Sequence, residues 1–129
     1  MRVLEKVPFV ILFGLLCTSA SFAQDIPVPP PPKTQAPAYN PALAKHDLDV
    51  GKFYQNRGDL DGAIARYKDA LRYKPNYAEP CLLLGQVYEQ KHDAASAISY
   101  YQQYLKILPD GSEAKKVRKR IAELQEKMK

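Results

Sequence analysis

The sequence repeats itself with a 34-residue period. When the chain is shifted by 34 places against itself, several positions carry the same residue, and many of them are small, aromatic, aliphatic or proline. The matched pairs include Gly51 and Gly85, Tyr54 and Tyr88, Ala63 and Ala97, Ile64 and Ile98, Tyr67 and Tyr101, Leu71 and Leu105, and Pro75 and Pro109. A fixed period of this length is typical of stacked repeats, in which neighbouring units bury a continuous core.

Each repeat is predicted to contain two helices. The first keeps an apolar spacing of three and four residues through Gly51 and Tyr54 and ends near Gly58, and the second stops before Pro75. Glycine in a helix interior costs about 1 kcal/mol relative to alanine. We therefore expect Gly51 and Gly85 to lie where a partner helix approaches closely. The expected contacts on that partner are Ala63 and Ala97.

The turns between the predicted helices carry typical capping residues. Asp59 is predicted to cap the second helix, and Gly58 to end the first in a left-handed conformation. The Arg57-Gly58-Asp59 tripeptide, familiar as a cell-adhesion motif, is thus interpreted as a turn. The other predicted caps are Asn40 before Pro41, Asn76 with Glu79 three residues later, Asp93, and Ser112.

These features together resemble the tetratricopeptide repeat family. The resemblance implies an all-α fold: two helix-turn-helix repeats, residues 44–77 and 78–111 within 42–111, followed by a capping helix in 112–129, forming a short right-handed α-solenoid. Two positions depart from the family pattern. Asp47 stands where a large apolar residue is usual, which suggests an open end of the stack. Tyr104 replaces an expected small residue, which raises the question of how closely the last two helices approach.

Residues 1–23 are predicted to be a cleaved signal peptide. Arg2 and Lys6 precede an apolar run, and Ser21 and Ala23 place small residues before Gln24. The alternative is a retained membrane anchor over residues 7–23, which lies at the lower edge of spanning length. Export predicts a periplasmic or secreted location. Cleavage would remove Cys17 and leave Cys81, whose apolar neighbours predict burial.

Residues 24–41 are predicted to be a linker because more than a third of their positions, seven in all, are proline. Proline fixes φ and lacks an N–H, so the segment favours extended polyproline II over a packed element. A stiff spacer is the favoured interpretation. A docking peptide for an aromatic groove is the alternative.

Positive charge is concentrated in the last segment. Residues 42–111 carry nine basic and nine acidic side chains, whereas residues 112–129 carry seven basic and three acidic ones. Val117, Ile121, Leu124 and Met128 form a narrow apolar stripe predicted to pack on the fourth helix. The basic residues are interpreted as a solvated face, with an acidic partner or anionic lipid as alternatives. Export and the absence of a nucleic-acid motif argue against nucleic acid.

The sequence contains no catalytic constellation. The two histidines, His46 and His92, have no cysteine at metal-ligand spacing, and no phosphate loop or hydrolase motif is present. We therefore predict no enzyme activity, no metal and no cofactor.

The predicted function is protein binding in the groove of the array. The resemblance implies that the face beside the core stripe forms the inner wall of that groove, with Leu48 and Leu82 as its apolar contacts. The candidate residues are Lys45, Leu48, Lys52, Gln55, Glu79, Leu82, Gln86, Glu89, Lys116 and Arg120. The partner would be a peptide or a helix, and the setting a scaffold in the cell envelope.

Two alternatives remain open at this stage. The first is a self-associating envelope assembly factor, because two repeats are fewer than the three or more that usually give a stable stack. The open face near Leu43, Val50 and Phe53 would then pair with another copy. The second is a membrane-anchored version, with contact through the N-terminal segment or the basic C-terminal helix.

Overall fold

The computed structural model describes residues 36–129, and these residues form five helices. The helices are α1 (Pro41–Asn56), α2 (Leu60–Tyr73), α3 (Ala78–Gln90), α4 (Ala94–Ile107) and α5 (Ala114–Lys127). No strand occurs within residues 36–129, so this part of the chain is an all-α helical repeat. Among these five helices, none has the length and apolar character needed to cross a membrane. The predicted signal peptide and residues 24–35 of the predicted linker lie outside the described residues.

The helices pack in the order of the chain. Helices α1 and α2 form one hairpin and α3 and α4 the next, while α2 packs on α3 and α4 on α5. Two core clusters result. The first joins the hairpins and contains Leu48, Ala63, Ile64, Tyr67, Leu84 and Val87. The second, between the second hairpin and α5, contains Cys81, Ala97, Tyr101, Tyr104, Val117 and Leu124.

The two mid-helix glycines lie against tyrosine rings. A Cβ at Gly51 would lie 2.6 Å from Cδ1 of Tyr67, and one at Gly85 would lie 2.8 Å from Cζ of Tyr101. The close approach is therefore confirmed, and the nearest atoms belong to Tyr67 and Tyr101 rather than to the predicted Ala63 and Ala97. The reason is one of size: both alanines are buried in the core, whereas the longer tyrosine side chains reach across the hairpin to the space that each glycine leaves.

The turn at Arg57-Gly58-Asp59 has the predicted geometry. Gly58 is left-handed, with φ of 80°, and the Asp59 carboxylate accepts a hydrogen bond from the backbone N–H of Gly62 at 2.9 Å. Asp93 caps α4 in the same way through Ser96 N–H at 3.0 Å. The residue that corresponds to Gly58 is His92, which adopts φ of 59°. A side chain here occupies a conformation that suits glycine better.

This difference gives opposite expectations for the two turns. We expect His92→Gly to stabilise the fold by about 0.5–1 kcal/mol, because it removes a Cβ from a left-handed position. Gly58→Ala should cost about 1 kcal/mol for the converse reason. Urea unfolding monitored by circular dichroism measures both changes. A shift of the same sign in both variants would contradict this account of the turns.

The predicted cap at Asn40 is confirmed, and that at Asn76 is wrong. Asn40 accepts from Leu43 N–H at 3.1 Å, with Pro41 as the first helical residue. Helix α3 instead begins after Tyr77, whose side chain makes no capping hydrogen bond. A start at Asn76 would put Pro80 where the helix first needs an N–H donor. A start one residue later puts Pro80 in the first turn, where none is required.

The start and end of α5 also differ from the prediction. Ser112 lies in a turn closed by Ala114 N–H to the Gly111 carbonyl at 2.9 Å, so the serine hydroxyl does not cap the helix. Val117 and Leu124 are buried and Ile121 is half-buried, as the apolar stripe predicts. Met128, which follows the end of the helix, is 57 % exposed and does not belong to the stripe.

The two departures from the family pattern have structural explanations. Asp47 is buried in α1, and its carboxylate lies 3.5 Å from Nη1 of Arg66 on α2. This ion pair compensates the carboxylate for lost hydration. Tyr104 is buried in the second core cluster, and α4 and α5 pack around it. A bulky ring at that position therefore does not keep the last two helices apart.

Candidate functional site

The α1 residues of the predicted groove are engaged in contacts within the chain. Lys45 pairs with Asp49 one turn later, at 2.8 Å. Lys52 reaches across to α3 and pairs with Glu79 at 2.6 Å. Gln55 accepts a hydrogen bond from the Tyr67 hydroxyl at 2.7 Å. The Lys52–Glu79 pair is partly exposed, so it contributes at most about 1 kcal/mol.

Leu48 does not lie where the prediction put it. The side chain is only 2 % exposed and belongs to the first core cluster, where α1, α2 and α3 meet. Burying a leucine is worth about 1.5–3 kcal/mol, so the junction between helices retains it. Leu48 is therefore a core residue and offers no apolar contact to a partner.

Most of the remaining predicted residues converge on a pocket between α3 and α5, here called the α3–α5 pocket. It has a volume of about 390 Å³. Five predicted residues line it: Leu82, Gln86, Glu89, Lys116 and Arg120. Gln90, Tyr101, Glu113 and Val117 complete its wall. Lys45, Lys52, Gln55 and Glu79 are not part of it.

Glu89 connects all three helices that surround the pocket. Its Oε1 accepts from the Tyr101 hydroxyl of α4 at 2.6 Å, and its Oε2 accepts from Arg120 Nε of α5 at 2.6 Å. Arg120 also donates from Nη1 to Glu123 at 2.8 Å. The guanidinium thus bridges two carboxylates, and such charge-assisted bonds fix α5 beside the hairpin with a defined orientation.

The protonation of this group follows from its contacts. Burial raises the pKa of Glu89, but hydrogen bonds from Arg120 and Tyr101 outweigh it, so the net pKa lies below the usual value for glutamate. The pKa of Tyr101 is raised by burial and by its hydrogen bond to Glu89. Glu89 and Arg120 are therefore both charged at neutral pH, and Tyr101 is a neutral donor.

The pocket wall is electrically balanced. Two carboxylates, Glu89 and Glu113, face two cations, Lys116 and Arg120, and Lys116 lies 3.4 Å from Glu113. Leu82 and Val117 supply apolar surface. Gln86 and Gln90 add side-chain amides, which can both donate and accept hydrogen bonds. This combination suits an apolar side chain flanked by peptide backbone, and it gives no advantage to a highly charged ligand.

Four wall residues were not among the residues predicted for the groove. Tyr101 was identified only as a repeat position and Val117 as part of the apolar stripe, and the structure shows that each is buried while still facing the pocket. Tyr101 reaches the pocket because its ring packs on Gly85, which lies on the same face of α3 as Leu82 and Glu89. Gln90 lies one helical turn after Gln86 on α3, whereas no pattern identifies Glu113, because the position of α5 depends on contacts distant in sequence.

The described residues offer no second kind of chemistry. Within residues 36–129, no group of three or more His, Cys, Asp or Glu side chains could hold a metal ion. Cys81 is buried, and burial raises its pKa to about 11. A thiol with so high a pKa is a poor nucleophile at neutral pH.

Fold and pocket together define a helical-repeat protein with a ligand-sized groove. A family model described as Tetratricopeptide repeat matches residues 56–121, which is half of the chain. The chain belongs to the tetratricopeptide repeat family. Repeats of this family generally mediate protein–protein interaction and are typically not catalytic. No curated protein sequence matches the chain.

Proposed function

We propose that this chain is a non-catalytic, exported interaction module that holds a peptide or partner helix in the α3–α5 pocket. The observation that carries the proposal is the convergence of apolar, amide and balanced charged groups on one concave surface. Pockets of roughly 300–1,000 Å³ with an apolar lining and a few polar groups are typical ligand sites. An apolar side chain of the partner would lie between Leu82 and Val117, with its backbone within reach of Gln86.

The cellular setting is a further part of the proposal. The pattern of residues 1–23 supports export to the periplasm or beyond, and a scaffold role in a cell-envelope complex follows from a binding module with a proline-rich spacer. Retention of residues 7–23 would give the same module tethered to a membrane. N-terminal sequencing of exported protein distinguishes the cleaved from the tethered form, because cleavage predicts a chain that begins at Gln24.

A paired set of variants tests the pocket. We expect Leu82→Ala with Lys116→Glu to reduce partner capture at least tenfold, which corresponds to about 1.4 kcal/mol, because it removes the apolar contact and unbalances the wall. The matched control is Leu108→Ala with Lys106→Glu, the same substitutions outside this pocket. Captured proteins from envelope fractions are quantified by mass spectrometry, and circular dichroism verifies helical content.

Two further measurements separate the pocket from the basic outer face of α5. A photo-reactive residue at Gln86 should cross-link the partner, and one at the exposed Gln102 should not. Lys115→Glu with Lys119→Glu spares the buried stripe and should leave capture intact. Capture by the unaltered chain should also change little between about 50 and 500 mM salt. Capture that survives the pocket variant but fails with this pair would move the function to α5.

A further inference from the structure

The side of α1 that points away from α2 carries three apolar side chains and one histidine. Leu43, His46, Val50 and Phe53 follow one another at spacings of three and four, so they share one helix face. Leu43 is 42 % exposed and Phe53 is 55 % exposed. We call these four residues the α1 outer face.

The second repeat shows what the equivalent surface contacts there. One repeat period later, the corresponding residues are Tyr77, which precedes α3, and Pro80, Leu84 and Val87 within it. Pro80, Leu84 and Val87 are buried, and the last two pack with Ile64 and Tyr67 of α2 in the first core cluster. In the second unit, this surface is therefore the joint between stacked hairpins. On α1 the same surface has no hairpin in front of it within the described residues.

Several copies could meet in principle head to tail or face to face, and the fold favours the second arrangement. Head-to-tail stacking needs the equivalent surface of α4, but α5 covers it with Val117 and Leu124. The outward side of α5 carries exposed Lys115, Arg118 and Lys119, in a segment with net charge of +4 from seven basic and three acidic residues. Like charges therefore oppose contact between two α5 ends.

Contact between two α1 outer faces brings together less like charge, with Arg57 as the cation on each face. Two ion pairs within the chain flank the face, Lys45 with Asp49 at 2.8 Å and Asp47 with Arg66 at 3.5 Å. Arg57 lies over the Phe53 ring, 5.4 Å from its centroid. A two-fold contact uses the same surface on both copies. The ion pairs at its edge are already neutralised within each chain, so bringing two of them together costs little.

We propose that two copies of this chain pair through their α1 outer faces into a closed two-fold dimer. Four hairpins then stack in one body, which exceeds the three repeats usually needed for a stable array. The face is a stripe on a single helix, smaller than a standard interface of roughly 800 Å² per partner, so we expect a weak dimer with a dissociation constant on the order of micromolar. This pairing does not depend on ligand binding in the α3–α5 pocket.

Sedimentation of the full chain, isolated as the expressing cell leaves it, tests the pairing. Between about 1 and 200 µM, the weight-average mass of the unaltered chain should rise towards twice that of the monomer, as micromolar dissociation requires. Phe53→Glu should weaken association at least tenfold, and Leu43→Glu should do the same. Met128→Glu places the same charge at a similarly exposed apolar residue at the other end and should leave association unchanged.

Clear outcomes would overturn the proposal. They are a monomer at every concentration, species larger than a dimer, or equal loss of association in the Phe53→Glu and Met128→Glu chains. Phe53 is half-exposed, so its replacement should preserve helical content by circular dichroism. Photo-cross-linking from Gln86 should also persist in Phe53→Glu, which separates failure of pairing from failure of the pocket.

Discussion

Gly85→Leu should reduce the free energy of unfolding by about 2 kcal/mol or more, the upper part of the usual range for overpacking. The ring of Tyr101 lies directly against Gly85, and even a Cβ there would come within 2.8 Å of its Cζ. The ring cannot move aside freely, because the hydroxyl of Tyr101 is held by Glu89 at 2.6 Å. A leucine side chain must therefore separate α3 from α4.

Gly85→Ala gives a second test, because its effect on stability should have the opposite sign to that in an ordinary helix. In an exposed helix, replacing glycine by alanine normally gains about 1 kcal/mol. Here we expect Gly85→Ala to destabilise, because the steric conflict outweighs the gain in helix propensity. Urea unfolding gives both values. If either variant were as stable as the unaltered chain, Tyr101 would not pack on Gly85 as described.

Leu84→Ala should cost about 2–5 kcal/mol, as is typical for emptying a fully buried leucine site. Leu84 has no exposed surface and lies in the first core cluster, where the two hairpins meet. The loss of its side chain leaves a cavity between α2 and α3, and these helices carry the contact between units. We therefore expect both hairpins to unfold in a single transition at lower urea concentration.

Leu43→Ala provides the matched control. It removes the same atoms from the corresponding side of α1, where the leucine is 42 % exposed. The cost should stay below about 1 kcal/mol when measured at concentrations where the chain is monomeric, because little buried surface is lost. Equal costs at the two leucines would mean that α1 is covered as completely as α3.

Features with local causes were predictable from the sequence. The 34-residue period fixes two hairpins, and Asp59 and Asp93 mark helix starts because a carboxylate there satisfies a free N–H. Asn76 fails for an equally local reason, since Pro80 shifts the first helical turn by one residue. That consequence could have been derived from the sequence, because it needs only the position of the proline.

The groove was less predictable because burial depends on more than one helix. Leu48 and Leu82 occupy equivalent repeat positions, but Leu48 is buried at the junction of α1, α2 and α3, whereas Leu82 is only half-buried. Periodicity within one helix does not distinguish them. The far wall of the pocket depends on Arg120 contacting Glu89, a pair 31 residues apart in the chain. A family pattern that describes single repeats contains no information about that contact.

The two tyrosines that pack on glycine have different partners, and the difference identifies the terminal unit. Tyr67 donates to the amide of Gln55, whereas Tyr101 donates to the carboxylate of Glu89, which occupies the position of Gln55 in the second repeat. A carboxylate is suited to the last unit because α5 brings Arg120 to it. In the first unit the next helix brings Glu79, whose charge adds to burial in raising the pKa of Tyr67 to about 12.

A longer array is therefore better built by copying the first unit than by copying the second. A duplicated second unit would place a glutamate in an interior position, beside an acidic residue and with no arginine to neutralise it. A duplicated first unit would place a neutral glutamine there, which tolerates either neighbour. One side chain per repeat, glutamine or glutamate, thus distinguishes the interior unit from the final unit, and the glutamate adds a charged contact to the apolar packing that attaches α5.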